Sequence, residues 1–273
     1  MPFRKNKSIN KLLVIFLFLL CIIPIQTYAH DLIPQQLKVY LQEHPNATPE
    51  EIKQFADQQA PEFSQKYRDG AEIIRIIRDR QTSFFDNMLD FFKLGVGHIL
   101  SGTDHILFVL SLLLVFISWK DILKLTATFT VAHSITLILA GTGILTLTPR
   151  IVEPMIALSI AYVAISTVFF KGTTFIGENN GKIAAVFFFG LFHGLGFAGL
   201  LKEIQIPADK FVSSLLSFNL GIEGGQIIIV ALAFPFIYFF RNKKYYPFVI
   251  KIIAGIIASI AIIWFFQRIF SGV

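Results

Sequence analysis

From residue 94 the chain carries six apolar blocks in succession, at about 94–118, 124–147, 151–170, 183–201, 211–240 and 248–267. Each is close to the ~20 residues that a helix needs to cross a bilayer. Inside lipid no water can serve the backbone N–H and C=O groups, so a spanning segment must pair them within itself, as a helix does. Composition agrees: 54% of residues are hydrophobic and only 15% are charged, against about 25% charged in an ordinary soluble domain. The expectation is an all-α membrane protein with a six-helix transmembrane bundle over residues 89–273 and the lipid bilayer as its partner. Unbroken apolar blocks do not suit an outer-membrane barrel. The formal charge of +6 does not suggest a nucleic-acid partner, because the Lys and Arg residues sit at the N-terminus and between the blocks. Nothing in the sequence specifies an oligomeric state.

Residues 1–29 read as a cleaved signal peptide, with a retained signal anchor as the alternative. Arg4, Lys5, Lys7 and Lys11 form a basic start, Leu12 to Ile23 a short apolar core, and Thr27-Tyr28-Ala29 a cleavage site. Cleavage would leave His30 and Asp31 at the new N-terminus. It would also remove Cys21, the only cysteine, so the mature chain would have neither disulfides nor thiolate metal ligands. Residues 30–88 are expected to form a small helical extracytoplasmic segment, a spacer or docking element. Thr48-Pro49-Glu50-Glu51 has the pattern of a capping box with proline at the first helical position. Ile73, Ile74, Ile76 and Ile77 among charges predict an amphipathic helix.

Loop charges orient the bundle. With the first span entering from outside, the inner loops hold Lys120, Lys124, Lys171, Lys182, Arg241, Lys243 and Lys244; the outer side holds Arg150, Lys202, Lys210 and Arg268. That excess of inner cations follows the positive-inside rule. It predicts an inner (plasma) membrane protein with both mature termini extracytoplasmic.

Ionisable residues inside these blocks bear on function, since a charged group at bilayer depth costs roughly 2.5–3.5 kcal/mol on insertion scales. The first block holds His98, Ser101, Asp104 and His105. The two histidines are seven positions apart, two helical turns, which places them on one face of a continuous helix. Asp104 lies about 100° around from His105, as a ligand or as the carboxylate that orients a ligating imidazole. His133 sits near the middle of the second block. Glu153 begins the third, as a solvated helix-start carboxylate or an entrance ligand. His193 stands among Gly190, Gly194, Gly196 and Gly199; Gly190 and Gly194 make a small-xxx-small pair that permits close helix approach. In the fifth block Asn219, Glu223 and Gln226 lie along one face. The sixth block shows no buried ionisable group and reads as scaffold. Imidazoles with carboxylates form the ligand set of a divalent metal or a proton relay.

Five segments, in order, resemble the HupE/UreJ family, specifically its HupE/UreJ-like branch. They are His98-x5-Asp104-His105; Phe129 to Ser134; Val152-Glu153 with Ile156 to Ser159; Phe189 to Ala198; and Phe218 to Gln226. The resemblance implies a bacterial inner-membrane protein. Characterised HupE-type members are nickel permeases serving hydrogenase or urease maturation, and need their His-x5-Asp-His motif for transport. That role carries over to His98, Asp104 and His105. Their second motif has two histidines and a glutamate, whereas His193 stands here with Gly194-Leu195-Gly196-Phe197.

Three functions are weighed. The leading one is a permease for a nickel- or cobalt-like divalent cation, which need not be an enzyme. Its metal site would be His98, Asp104, His105, His133, His193 and Glu223, with Ser101, Glu153, Asn219 and Gln226 as secondary candidates. The ion, nickel, cobalt, zinc or similar, is cargo or a bound partner. The second is an intramembrane zinc hydrolase, with Glu223 as general base. The third is a structural or accessory membrane protein.

Overall fold

Among the described residues, 34–82, 84–115, 118–169, 179–197, 199, 206 and 210–270 of a computed structural model, eleven helices follow one another without a strand. The expected signal peptide and His30 lie outside the described residues. Four short helices come first: α1 (Gln35–Glu43), α2 (Pro49–Gln59), α3 (Pro61–Ser64) and α4 (Gly70–Thr82). They share a small core of Leu37, Ile52, Ala56, Phe63, Ile73 and Ile77. The expected capping box opens α2: Thr48 N donates to Glu51 Oε2 at 2.8 Å and Glu51 N to Thr48 Oγ1 at 3.3 Å. Lys53 closes the α3 end by donating to the carbonyls of Ser64 and Tyr67 at 2.8 and 3.1 Å. The Ser64 hydroxyl donates to Asp57 and, with Lys53, holds that carboxyl below its ordinary pKa.

The apolar region follows as α5 (Phe84–Ser101), α6 (Thr103–Val115), α7 (Trp119–Gly141), α8 (Pro149–Phe169), α9 (Asn179–Gly196), α10 (Phe211–Phe240) and α11 (Tyr246–Phe270). By length and hydropathy α7, α8, α10 and α11 can each cross a membrane. The expected straight first span is instead two helices: α5 starts ten residues early and meets α6 at a 70° bend around Gly102. Counting that pair as one span gives five candidates; α9 is apolar but shorter. Pro235 lies within α10, which runs on to Phe240.

Helix α6 is the centre. Every residue from His105 to Leu114 is buried, the pattern of a helix enclosed on all sides, and α7, α8, α10 and α11 pack around it. Two parallel pairs build much of the rest. In the α5–α10 pair, Asn87 Nδ2 donates to Ser214 Oγ at 2.7 Å and the Ser217 hydroxyl donates to the Met88 carbonyl. Further along, Gly95 faces the Phe218 carbonyl and the Gly221 Cα, and Gly221 faces the Phe92 carbonyl. In the α7–α9 pair, Gly190 faces the Phe129 carbonyl and Gly194 the His133 carbonyl. Lipid tails are as apolar as leucine, so helices in a membrane associate through close packing of this kind. The two remaining long helices, α8 and α11, pack against each other.

A Cβ at Gly221 would run into the Phe92 backbone, which has no side-chain freedom to yield. Gly221→Val is therefore expected to lower the thermal unfolding midpoint in detergent, at a cost of about 1–3 kcal/mol or more. Gly255→Ala, at an α11 position with nothing within 4 Å of the added Cβ, leaves the midpoint unchanged or raises it slightly. Equal midpoints for the two variants would refute the close-packing account.

Candidate metal site

The four histidines of the apolar blocks come together from four helices: His98 near the end of α5, His105 in the first turn of α6, His133 within α7 and His193 near the end of α9. His98 Nε2 and His105 Nε2 are 2.9 Å apart. Ring centroids are separated by 4.6 Å for His98–His105, 5.2 Å for His105–His193, 6.0 Å for His98–His133 and 6.3 Å for His105–His133. The bend at Gly102 makes the first of these contacts. On a straight helix, residues seven apart are about 10 Å apart along the axis. A glycine is required there, because an added Cβ would lie 2.7 Å from both the His105 ring and the His98 carbonyl.

Phenylalanines wall the cluster. Phe197 and Phe218 pack on His98 with centroids at 4.4 and 5.7 Å, and Phe108 and Phe129 on His193 at 5.2 and 4.9 Å. His105, His133 and His193 are buried and His98 half-buried. Few protein partners reach these rings. His193 Nδ1 donates to the Phe189 carbonyl at 2.9 Å, which leaves Nε2 as the nitrogen with the free lone pair. His193 Nε2, His105 Nδ1 and both nitrogens of His133 are buried with no hydrogen-bond partner. The Nε2 pair of His98 and His105 is near the ~3.3 Å that separates two ligands of one tetrahedral ion with bonds of about 2.0–2.1 Å. As they stand, no three His, Cys, Asp or Glu side chains among the described residues are arranged around a single ion.

The other sequence candidates divide. Asp104 is held by Arg268, whose Nη2 donates to both carboxylate oxygens at 3.1 and 2.9 Å. Glu153 meets the same guanidinium, with Nε to Oε2 at 3.8 Å and Nη1 donating to the Glu153 carbonyl at 3.1 Å. Asn219 lies beside His133; its Nδ2 donates to the Leu215 carbonyl at 2.8 Å and its Oδ1 has no partner. Gln226 accepts from Thr130 at 3.1 Å and so ties α10 to α7. Ser101 donates to the Gly97 carbonyl at 2.6 Å, an ordinary intrahelical bond. Glu223 is part-buried one turn beyond Asn219 and pairs with no other described residue.

Arg268 is the residue the sequence reading missed. The sequence marks it only as a topology charge beyond a scaffold helix, whereas it lies within α11 and binds the carboxylates of Asp104 and Glu153. The sequence holds no signal that joins it to Asp104, 164 positions away; only the helix arrangement brings the two together. The phenylalanine walls carried no such signal in a chain with 30 Phe.

A profile of the HupE/UreJ protein family matches residues 76–268, the main part of the chain. The chain belongs to that family, and its apolar helices make it a multi-pass membrane protein. No curated protein and no solved structure matches it.

Since Gly102 sets the His98–His105 contact, Gly102→Ala is expected to weaken divalent-metal binding by about tenfold or more, the scale of losing an orienting partner. Isothermal titration of the purified protein measures it. Wild-type affinity in Gly102→Ala would show that the bend does not build the site.

Proposed function

We propose that this protein is a membrane permease for a divalent transition-metal ion, and that His98, His105, His133 and His193 are the site where the ion pauses. The observation that carries the reading is four clustered imidazoles within an aromatic wall, His105 having the other three rings at 4.6, 5.2 and 6.3 Å between centroids, with four of their nitrogens buried and unpartnered. Such atoms cost about 1–3 kcal/mol each when left unpaired. Neutral imidazole suits nickel, cobalt, zinc or copper, whereas an all-oxygen site would suit magnesium or calcium. The HupE/UreJ family is associated with nickel and cobalt uptake or an accessory role, which favours those ions as cargo. His133 makes no hydrogen bond through its ring, so turning it toward an ion breaks none. A set that closes on the ion by ring rotation can also reopen, as transport requires. The zinc-hydrolase alternative needs a free carboxylate base beside the ion; its candidate, Glu223, makes no hydrogen bond or ion pair with any of the four imidazoles among the described residues, and Asp104, next to His105, is held by Arg268.

The same reading makes the bundle six crossings, with α5 and α6 as one broken span and α9 as a short one. The parallel pairing of α5 with α10 supports this. Those helices start on the same side only if an even number of crossings separates their starts, and α5–α6, α7, α8 and α9 supply four. Irregular backbone at membrane depth is tolerated where it is enclosed by protein or lines a polar site, and Gly102 lies against His105. Loop charges then favour an inner membrane with both mature termini and residues 30–88 outside. Asp104 and Glu153 would sit toward the outer face, and Glu223 on α10 is the candidate for a further acidic stop on the path.

Proteoliposomes test the reading directly. Uptake of Ni²⁺, Co²⁺ or Zn²⁺ is expected to exceed that of empty liposomes. His105→Ala should reduce it at least about tenfold, as expected when an interaction needed throughout turnover is lost. Ser259→Ala, exposed on α11, should leave it unchanged. No uptake of any of the three ions by the wild-type protein would sink the permease reading.

A further inference from the structure

The permease reading leaves Arg268 without a role, although it is the cation that the outer carboxylates share. Its Nη2 contacts both oxygens of Asp104, and its Nε and Nη1 reach the Glu153 carboxylate and carbonyl. The guanidinium carbon also stands 5.4 Å from the centroid of the Trp264 ring, one turn earlier on α11. All three charged side chains are partly shielded: 22% exposed for Arg268, 23% for Asp104 and 37% for Glu153. Two carboxylates against one guanidinium leave the group with a net charge of −1. Asp104 directly precedes His105, and both Asp104 and Arg268 lie within electrostatic reach of His193. The ion pair therefore lies close enough to the imidazoles to act on them electrostatically.

We propose that Arg268 is a tethered counter-cation, a positioning residue that holds the Asp104 and Glu153 carboxylates until an incoming divalent cation takes its place. The proposal rests on the permease reading. A guanidinium bonds carboxylates through charge-assisted N–H groups in a fixed plane, so Arg268 orients both carboxylates in the resting protein. A dication carries twice its charge and can displace it. The displaced arginine stays on α11 and competes for the carboxylates again, which drives the ion onward to His105 and His98. Nothing is consumed: the exchange is one cation for another on the same oxygens. A small cavity of about 80 Å³ between Thr103, Ile106, Leu107, Ile260 and Trp264 lies beside the pair. It leaves room for local movement between α6 and α11.

This predicts a split in transport kinetics. Arg268→Gln removes the competitor, so the ion enters more tightly and leaves more slowly: KM and kcat should both fall, each by roughly tenfold, with kcat/KM nearly unchanged. Arg268→Lys, which retains the charge, should restore most of kcat. A purely structural arginine would instead lose protein yield, or lower kcat without lowering KM. A second measurement does not depend on that variant folding. The chain has two tryptophans, and Trp119 is exposed at the start of α7, so Trp119→Phe leaves Trp264 as the sole indole, with Arg268 intact. Zn²⁺, which does not quench indole, should shift Trp264 emission saturably as the guanidinium leaves the carboxylates. If Trp119→Phe protein takes up Zn²⁺ while its emission stays fixed, or if Arg268→Gln keeps wild-type KM and kcat, the counter-cation role is wrong and the permease reading stands. If the wild-type protein neither binds nor moves any of the three ions, both fall together.

Discussion

The break at Gly102 is the constraint on which the rest of the site depends. A Cβ there would lie 2.7 Å from the His105 ring and 2.7 Å from the His98 carbonyl, so the turn between α5 and α6 exists only because the residue has no side chain. The turn does two things together. It folds His105 back until its Nε2 is 2.9 Å from that of His98. It also sends α6 through the centre of the bundle, where α7, α8, α10 and α11 enclose it. A continuous helix would keep the two rings two turns apart and leave a longer apolar rod to be packed.

Glycine contacts then bring the other two imidazoles in. Gly190 and Gly194 let α9 press against the α7 backbone at Phe129 and His133, and this seats His193 beside His105 at 5.2 Å between centroids. Gly95 and Gly221 do the same for α5 and α10, which sets Phe218 against His98 and Asn219 beside His133. In a membrane, small residues replace the hydrophobic effect as the means of bringing helices close. Here they also decide which polar groups meet. The charged residues fall outside this inner ring, with Asp104, Glu153 and Arg268 gathered at one end of the bundle.

Much of this was legible in the sequence, because the bilayer imposes so strong a rule. Apolar blocks near 20 residues mark helices, and histidines within them stand out against their surroundings. The pairing of His98 with His105 was anticipated for a different reason from the one found: two turns on one helix face, rather than a fold-back at a glycine. Helical periodicity cannot show where a helix breaks, and Gly102 looks no different in sequence from the packing glycines. The capping box at Thr48 was readable because all its groups lie within four residues. The Asp104–Arg268 pair joins residues 164 positions apart, so only the helix arrangement reveals it. Ser101 and Gln226 have the residue types of a site, and their bonds to the Gly97 carbonyl and the Thr130 hydroxyl are visible only in the fold.

The central claim is that the four imidazoles bind the ion themselves. X-ray absorption of the purified protein loaded with one equivalent of Ni²⁺ or Zn²⁺ tests it most directly. The account predicts a shell of nitrogen ligands near 2.0–2.1 Å, with the outer-shell scattering of at least three histidine rings, and fewer rings in His133→Ala. A bound ion with an all-oxygen shell and no imidazole scattering would contradict it, as would a histidine count that does not change in His133→Ala.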